Sequence, residues 1–399
     1  MKRALLTSLA VASVLYAIAI TWKKNERAAG LDFYIYFVAG QLAGRADVDN
    51  IYSAEVQQRI GEEYYARAEA GTSELRKYDA KRRRRLDNVS SPFLYSTLRW
   101  VSRDYERALA QDHLLILAAF IAGVLLIARR VGLPWWAALF LLAALIHYYR
   151  GFEADLRVGN VNSLQLLMFS VALWSPPFLA GLVLGLLLSF KPNLILVVLL
   201  LVFSRIATRS YARLRAELAG GLTGGLLAFV IAAVSYGSAR VWLQWIVAAN
   251  QFWHRLPTRM ERNVTPALRF FHEHGTWPSY VLAALLLVLA CAAIWRGRSR
   301  DDVLIASIGV TIYLLSATVV WLHYMVLALP IAIALMRFRG TAIIALVSLA
   351  LIAEEPFEML VGRPAADVEV WLIGPALFAL FLCAIWKLAS NRDPRPAVL

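Results

Sequence analysis

The sequence predicts an all-α polytopic membrane protein of about twelve transmembrane helices, and three observations carry that expectation. Hydrophobic residues make up 60% of the 399-residue chain and charged residues only 17%, with a mean hydropathy of +0.59; a soluble domain is nearer to about 45–50% apolar and about 25% charged. Apolar runs recur along the whole chain, with room for ten or more spans of about 20 residues, the length a helix needs to cross a bilayer. Arg and Lys gather in every second break between those runs, as they do at cytoplasmic helix ends. The 13 Trp, 18 Phe and 16 Tyr exclude a disordered chain, because so much apolar surface is not left solvated. A formal charge of +14 raises nucleic acid as a partner. No basic domain stands apart from the spans, so the charge is assigned to helix ends and anionic lipid, and nucleic acid is not expected. Cys291 and Cys383 lie inside apolar runs, which supports neither a disulfide framework nor a Cys-based metal site.

Lys2 and Arg3 precede the apolar stretch 4–20, which ends at Lys23 and Lys24. A signal peptide with an A-x-A-like site at Ala17 and Ala19 is the alternative to an uncleaved first span. Either delivers residues 21–110 to the non-cytoplasmic side, although they hold the run Arg82, Arg83, Arg84, Arg85; the positive-inside rule weakens in loops longer than about 60 residues. Further spans are read near 112–128, 134–149, 162–174, 178–190, 193–204, 217–235, 279–295, 303–320, 323–336, 340–353 and 369–386. The short runs 162–174 and 178–190, joined by the uncharged turn Ser175-Pro176-Pro177, read equally as two crossings or a re-entrant pair. Basic breaks at Arg129–Arg130, Arg205–Arg215, Arg296–Arg300, Arg337–Arg339 and Lys387–Arg392 are placed inside, with both termini. The remaining polar segments then share the opposite face: the first extracytoplasmic loop (21–110), 150–161, Lys191-Pro192, a second large outer loop (236–278), 321–324 and 354–368. The spans read as nearly free of ionisable residues, without an internal repeat. Polar chemistry gathered at one surface suits an enzyme better than a transporter, which places it near mid-depth. The whole chain, 1–399, is read as a single transmembrane domain.

Candidate groups follow from that surface. Asp32 opens an aromatic stretch, 33–43. It reads either as a helix N-cap or as a general base tuned by partial burial. Arg157-Val158-Gly159-Asn160-Val161-Asn162 enters a span with a cation and two amides, a set that suits a phosphate or sugar hydroxyls and equally an anchor with a cap. Lys191 lies between two apolar runs; snorkelling explains it, yet an outer-face Lys lacks the positive-inside reason, which favours an anionic partner. Trp321-Leu322-His323-Tyr324 ends an apolar run, and the 236–278 segment interleaves Trp242, Trp245 and Trp253 with Asn250, Gln251 and Asn263, resembling a sugar-binding surface or an aromatic belt. His272-Glu273-His274 is read as surface, because side chains two apart do not share a helix face. No metal site is expected.

Together these segments resemble glycosyltransferase family 87, the polyprenyl-phosphate-mannose-dependent mannosyltransferases of GT-C fold. Asp32-Phe33 with Tyr36, Ala39, Leu42, Gly44 and Ile51-Tyr52 is similar to the family's first outer-loop signature. Gly159-Asn160-Val161-Asn162 resembles its G-(N/Q)-x-N segment, Lys191-Pro192 its Lys-Pro helix end, Asn263-Val264-Thr265 its N-x-(S/T) loop, and Trp321-Leu322-His323-Tyr324 its W-x-H-Y turn before Leu329-Pro330. The resemblance implies that Asp32 is the general base and that transfer inverts the sugar carbon. It implies that His323, Lys191 and Arg157 stabilise the leaving lipid phosphate without a metal or other cofactor, and that Tyr36, Asn160, Asn162, Asn263, Trp321 and Tyr324 line the substrate. The implied donor is a polyprenyl-phosphate-linked hexose, mannose first. The implied acceptor is a glycolipid or glycan, met on the extracytoplasmic face of the cytoplasmic membrane. Two departures, the reduction of the family's Tyr-Pro-Pro tract to Ser91-Pro92-Phe93-Leu94-Tyr95 and the long charged stretch 53–90, fall in the loop that shapes the acceptor site. Rival readings are a lipid-linked sugar flippase and a sister GT-C branch such as the protein O-mannosyl or aminoarabinose transferases. The sister branches commonly pair acidic residues in that loop, and Asp32 has no acidic neighbour.

Overall fold

The computed structural model describes residues 2–255, 277–353 and 369–390, and no β-strand occurs among them. The apolar runs become helices. Five are long and apolar enough to cross a membrane: α1 (Lys2–Asn25), α6 (Tyr105–Arg130), α12 (Tyr211–Ser235), α14 (Trp277–Gly297) and, within α18 (Glu369–Ser390), Leu372–Ser390. Shorter apolar helices accompany them: α7 (Trp135–Tyr148), α9 (Asn162–Trp174), α10 (Pro177–Phe190), α11 (Ile195–Ala207), α15 (Asp302–Ser316), α16 (Leu329–Met336) and α17 (Arg339–Ala353). The run read as one span at 323–336 is divided. It starts as a 3₁₀ turn, Leu322–Ala328, and becomes α-helical only where Pro330 takes the first turn of α16, the place where a missing N–H costs least.

The segment before α6 is a folded helical unit. Its helices are α2 (Leu31–Gln41), α3 (Ala54–Glu69), α4 (Glu74–Arg82) and α5 (Pro92–Thr97). Ser53, Ser73 and Ser91 each accept a backbone N–H three residues on, at 3.2, 3.2 and 3.1 Å; such caps stabilise by about 1 kcal/mol apiece. An aromatic core of Phe33, Tyr34, Phe37, Tyr95 and Tyr105 joins these helices to the ends of α6, α9, α10 and α12. In the second long polar segment, residues 240–255 form α13 (Arg240–Arg255) rather than a loop. Its Trp242 and Trp245 turn inward, donating to the carbonyls of Phe229 at 3.3 Å and Val89 at 3.1 Å, while Leu243, Ile246 and Val247 are exposed. These tryptophans are therefore packing residues and not an open sugar platform. Residues 256–276, with Asn263 and His272–His274, and residues 354–368 lie outside the described residues.

Two features tie the spans to one another. Gly181 and Gly185 of α10 face Gly220 and Gly224 of α12 so closely that a Cβ on any of them would run into the partner helix's backbone, the small-residue contact by which membrane helices approach. At the C-terminal end of α11, Arg205 is 3% exposed and binds Glu217 at 3.0 Å and Asp302 at 2.5 Å. Arg213 binds the same two carboxylates, at 2.8 and 2.5 Å. Arg205, in one of the basic breaks, is the centre of a buried network tying α11, α12 and α15.

Candidate active site

The site assembles at the other end of α11, from five chain segments. Asp32 is in the first turn of α2, where a negative charge is favourable, but it is not the cap. Gly30 holds that position without a side-chain bond. The Asp32 carboxylate instead accepts from Asn160 Nδ2 on Oδ2 at 2.7 Å and from Arg83 Nη2 on Oδ1 at 3.1 Å. With its side chain 23% exposed, it remains open to a small group arriving from outside.

Asn160 is placed by a helix-ending motif. Helix α8 (Arg150–Val158) stops at Gly159, whose φ of +66° lies in the left-handed region; only glycine takes it without strain. The N–H of Asn160 returns to the Asp155 carbonyl at 3.0 Å and that of Gly159 to Leu156 at 3.3 Å, a Schellman closure. A side chain at 159 would also strike Phe33. The reversal presents Asn160 to Asp32 and starts α9 two residues later. Asp155, fully buried, supplies the cap that α9 lacks: its oxygens accept from Asn162 Nδ2 at 2.9 Å, the Ser163 N–H at 2.9 Å and Ser163 Oγ at 2.6 Å. Burial raises its pKa to about 6, against the lowering effect of those bonds and of Lys191. Its role is to hold the Asn160–Asn162 turn.

Lys191 completes the row. It precedes Pro192, which forces an extended backbone (φ −154°, ψ 110°), ends α10 and swings the side chain towards the turn. Nζ donates to Asn160 Oδ1 at 3.3 Å and Asn162 Oδ1 at 3.4 Å and lies 4.4 Å from the centre of the Tyr324 ring, a cation–π contact. One amide, Asn160, thus touches the carboxylate with its nitrogen and the ammonium with its oxygen. Burial lowers the Lys191 pKa to about 8, opposed by Asp155 and Asp32. His323 is 7% exposed, its ring 4.8 Å from Tyr324. It lies within electrostatic range of both Asp32 and Lys191, and its Nε2 has no partner among the described residues. Tyr36, one turn after Asp32 on α2 and buried, interacts electrostatically with Asp32 and Tyr324. Trp321 is the half-buried extended residue that opens the 3₁₀ turn carrying His323 and Tyr324.

Seven of the ten residues singled out in the sequence therefore meet in one network: Asp32, Tyr36, Asn160, Asn162, Lys191, His323 and Tyr324. Trp321 adjoins it in the chain. Arg157 is exposed on α8 and forms no hydrogen bond or ion pair with the cluster, and Asn263 lies outside the described residues. The sequence reading missed Arg83. Four consecutive arginines on a segment assigned to the outside have no positive-inside reason, the same signal that drew attention to Lys191. It also missed Gln165 and Asn193, paired at 2.6 Å beside the cluster; both are uncharged amides in apolar surroundings and leave no mark in a charge pattern.

Chemically, the arrangement offers a part-exposed carboxylate, a cation a few ångströms away across an amide, and a buried imidazole beside an aromatic ring. That suits removal of a proton from one group and stabilisation of negative charge on another. No curated protein and no solved structure matches the chain. The model of glycosyltransferase family 87 matches residues 91–320, a stretch that includes the Gly159–Asn162 turn and Lys191, begins after Asp32 and ends one residue before Trp321. As that match spans more than half of the sequence, the chain belongs to glycosyltransferase family 87, a family of membrane glycosyltransferases.

Proposed function

We propose that this glycosyltransferase moves a hexose, mannose first, from a polyprenyl-phosphate donor to a glycolipid or glycan acceptor, on the extracytoplasmic face of the cytoplasmic membrane. The observation that carries the reading is the single amide of Asn160 bonded at one end to Asp32 and at the other to Lys191, at 2.7 and 3.3 Å. It fixes a base and a cation side by side, with apolar helices below to take a polyprenyl tail. Asp32 removes the proton from the acceptor hydroxyl as the oxygen attacks the sugar carbon. The bond to the lipid phosphate breaks on the opposite side, with inversion. Lys191 and His323 meet the charge that develops on the departing phosphate, where fixed donors in a site shielded from water act most strongly. A lipid phosphate carries less charge than a nucleoside diphosphate, so side-chain donors suffice in this reading. Tyr36, Asn162, Trp321 and Tyr324 line the sugar, and Arg157, exposed on α8, is assigned to the membrane surface instead of the phosphate.

The test incubates purified protein with labelled polyprenyl-phosphate-mannose and a membrane lipid extract, scoring for a new labelled glycolipid. Product formation by the wild type and its loss in Asp32→Asn support the reading. Asn offers the same acceptor oxygen to backbone groups as Asp but takes no proton, so a stable Asp32→Asn protein with wild-type turnover would refute the base.

A further inference from the structure

Asp32 is held from two directions, and one of them comes from the segment the family match leaves out. The Leu31-Asp32 start of α2 is held from the C-terminal end of α4. Asp79, fully buried, accepts from Tyr105 OH at 2.6 Å and lies close to the backbone N–H of Gly30. Arg83, the C-cap residue that ends α4, donates Nε to the Leu31 carbonyl at 3.2 Å and Nη2 to Asp32 Oδ1 at 3.1 Å. The remaining contact of Arg83, Nη1 to Asp87 at 3.8 Å, is loose.

We propose that Arg83 is the positioning residue for Asp32, setting the plane of its carboxylate through a guanidinium fork that α4 delivers. This rests on the reading of Asp32 as the base. An ionised carboxylate has about four lone-pair sites. Arg83 takes one on Oδ1 and Asn160 takes one on Oδ2. Rotation of the group is thereby restrained, and one lone pair on each oxygen stays available to a hydroxyl. Only arginine spans a backbone carbonyl and a carboxylate with one rigid group; lysine offers a point charge on a flexible stem. Arg83 touches neither sugar nor phosphate in this assignment and acts through Asp32.

Arg83→Ala, Arg83→Gln, Arg83→Lys and Asp32→Asn are assayed for turnover of polyprenyl-phosphate-mannose, with and without millimolar guanidinium. Misplacement of a catalytic group costs up to about 100-fold. Arg83→Ala is expected to lose about 10–100-fold in kcat with KM for the donor nearly unchanged, guanidinium to restore most of it, and Arg83→Lys to fall between. Should Arg83→Ala not fold, Arg83→Gln is read by the same criteria. Wild-type kcat in either variant overturns the proposal. So does a loss that guanidinium does not restore, which makes Arg83 a strut of α4 alone. An inactive Asp32→Asn beside a fully active Arg83→Ala removes only the positioning role, whereas an active Asp32→Asn removes the base and this inference with it.

Discussion

The two ends of α11 carry polar clusters built to opposite plans. At Arg205 and Arg213, two guanidinium groups meet the two carboxylates of Glu217 and Asp302 at 2.5–3.0 Å, with Arg205 only 3% exposed. Charge balances within the network, and each carboxylate is shared between two cations. At Lys191 the spacing is looser. The ammonium reaches two amide oxygens at 3.3 and 3.4 Å, Asp32 is part-exposed, and among the described residues His323 Nε2 and, beside Gly159, the buried Asp112 Oδ2 have no partner. A closed network of this kind locks helices together. An open one, in which an amide stands between carboxylate and ammonium, keeps its ions available to something else. The contrast separates scaffold from site without reference to residue type, since both clusters hold the same kinds of charge.

Substitutions sharpen or break that contrast. The largest expected effect is on turnover: Asp32→Asn falls by about 10²–10⁴-fold with an unchanged thermal midpoint, read by the labelled-glycolipid assay beside thermal unfolding. Arg205→Ala reverses the pattern. It leaves one buried and one half-buried carboxylate short of a cation and lowers stability by about 3–5 kcal/mol, while kcat of the remaining folded protein is unchanged. If Arg205→Ala is stable but inactive, the division between lock and site is wrong. Lys191→Met deletes a charged donor with little change of volume, and donor binding weakens by about 1.5–3 kcal/mol, measured as Kd for polyprenyl-phosphate-mannose. Because the Lys191 pKa lies at about 8, the charge is present below that pH and lost above it. Wild-type affinity should be full at neutral pH and fall by up to about tenfold per unit above about 8, and the Lys191→Met profile should be flat over that range. Ser73→Ala gives the smallest effect, about 1 kcal/mol for a lost cap on α4. It tests how far the helix that ends at Arg83 depends on its own N-terminus as well as on Asp79.

The apolar helices were legible in the sequence because apolar length and basic breaks are local properties. So were most of the site residues. Lys191, Asn160, His323 and Tyr324 stand at edges of apolar runs, where a polar side chain needs a reason, and Asp32 precedes an aromatic stretch. What the sequence left open at Asp32 was cap or base. The cap was excluded only when Gly30 proved to hold that position and the carboxylate proved to face Asn160 and Arg83. Asp155, within the 150–161 segment, showed nothing in its residue type to mark it as the cap of the next helix.

By itself, then, the sequence determined that the chain is a multi-helix membrane protein, where its apolar segments lie and which polar residues border them. Hydropathy and charge are written residue by residue and need no folding to be read. Only the tertiary structure decided which charges meet. Arg83 pairs with Asp32 across 51 residues and Arg205 with Asp302 across 97, and no periodicity joins such positions. The difference is physical: crossing a membrane depends on sums over a segment, whereas an ion pair or a base depends on a few ångströms between two side chains that the packing of other helices brings together.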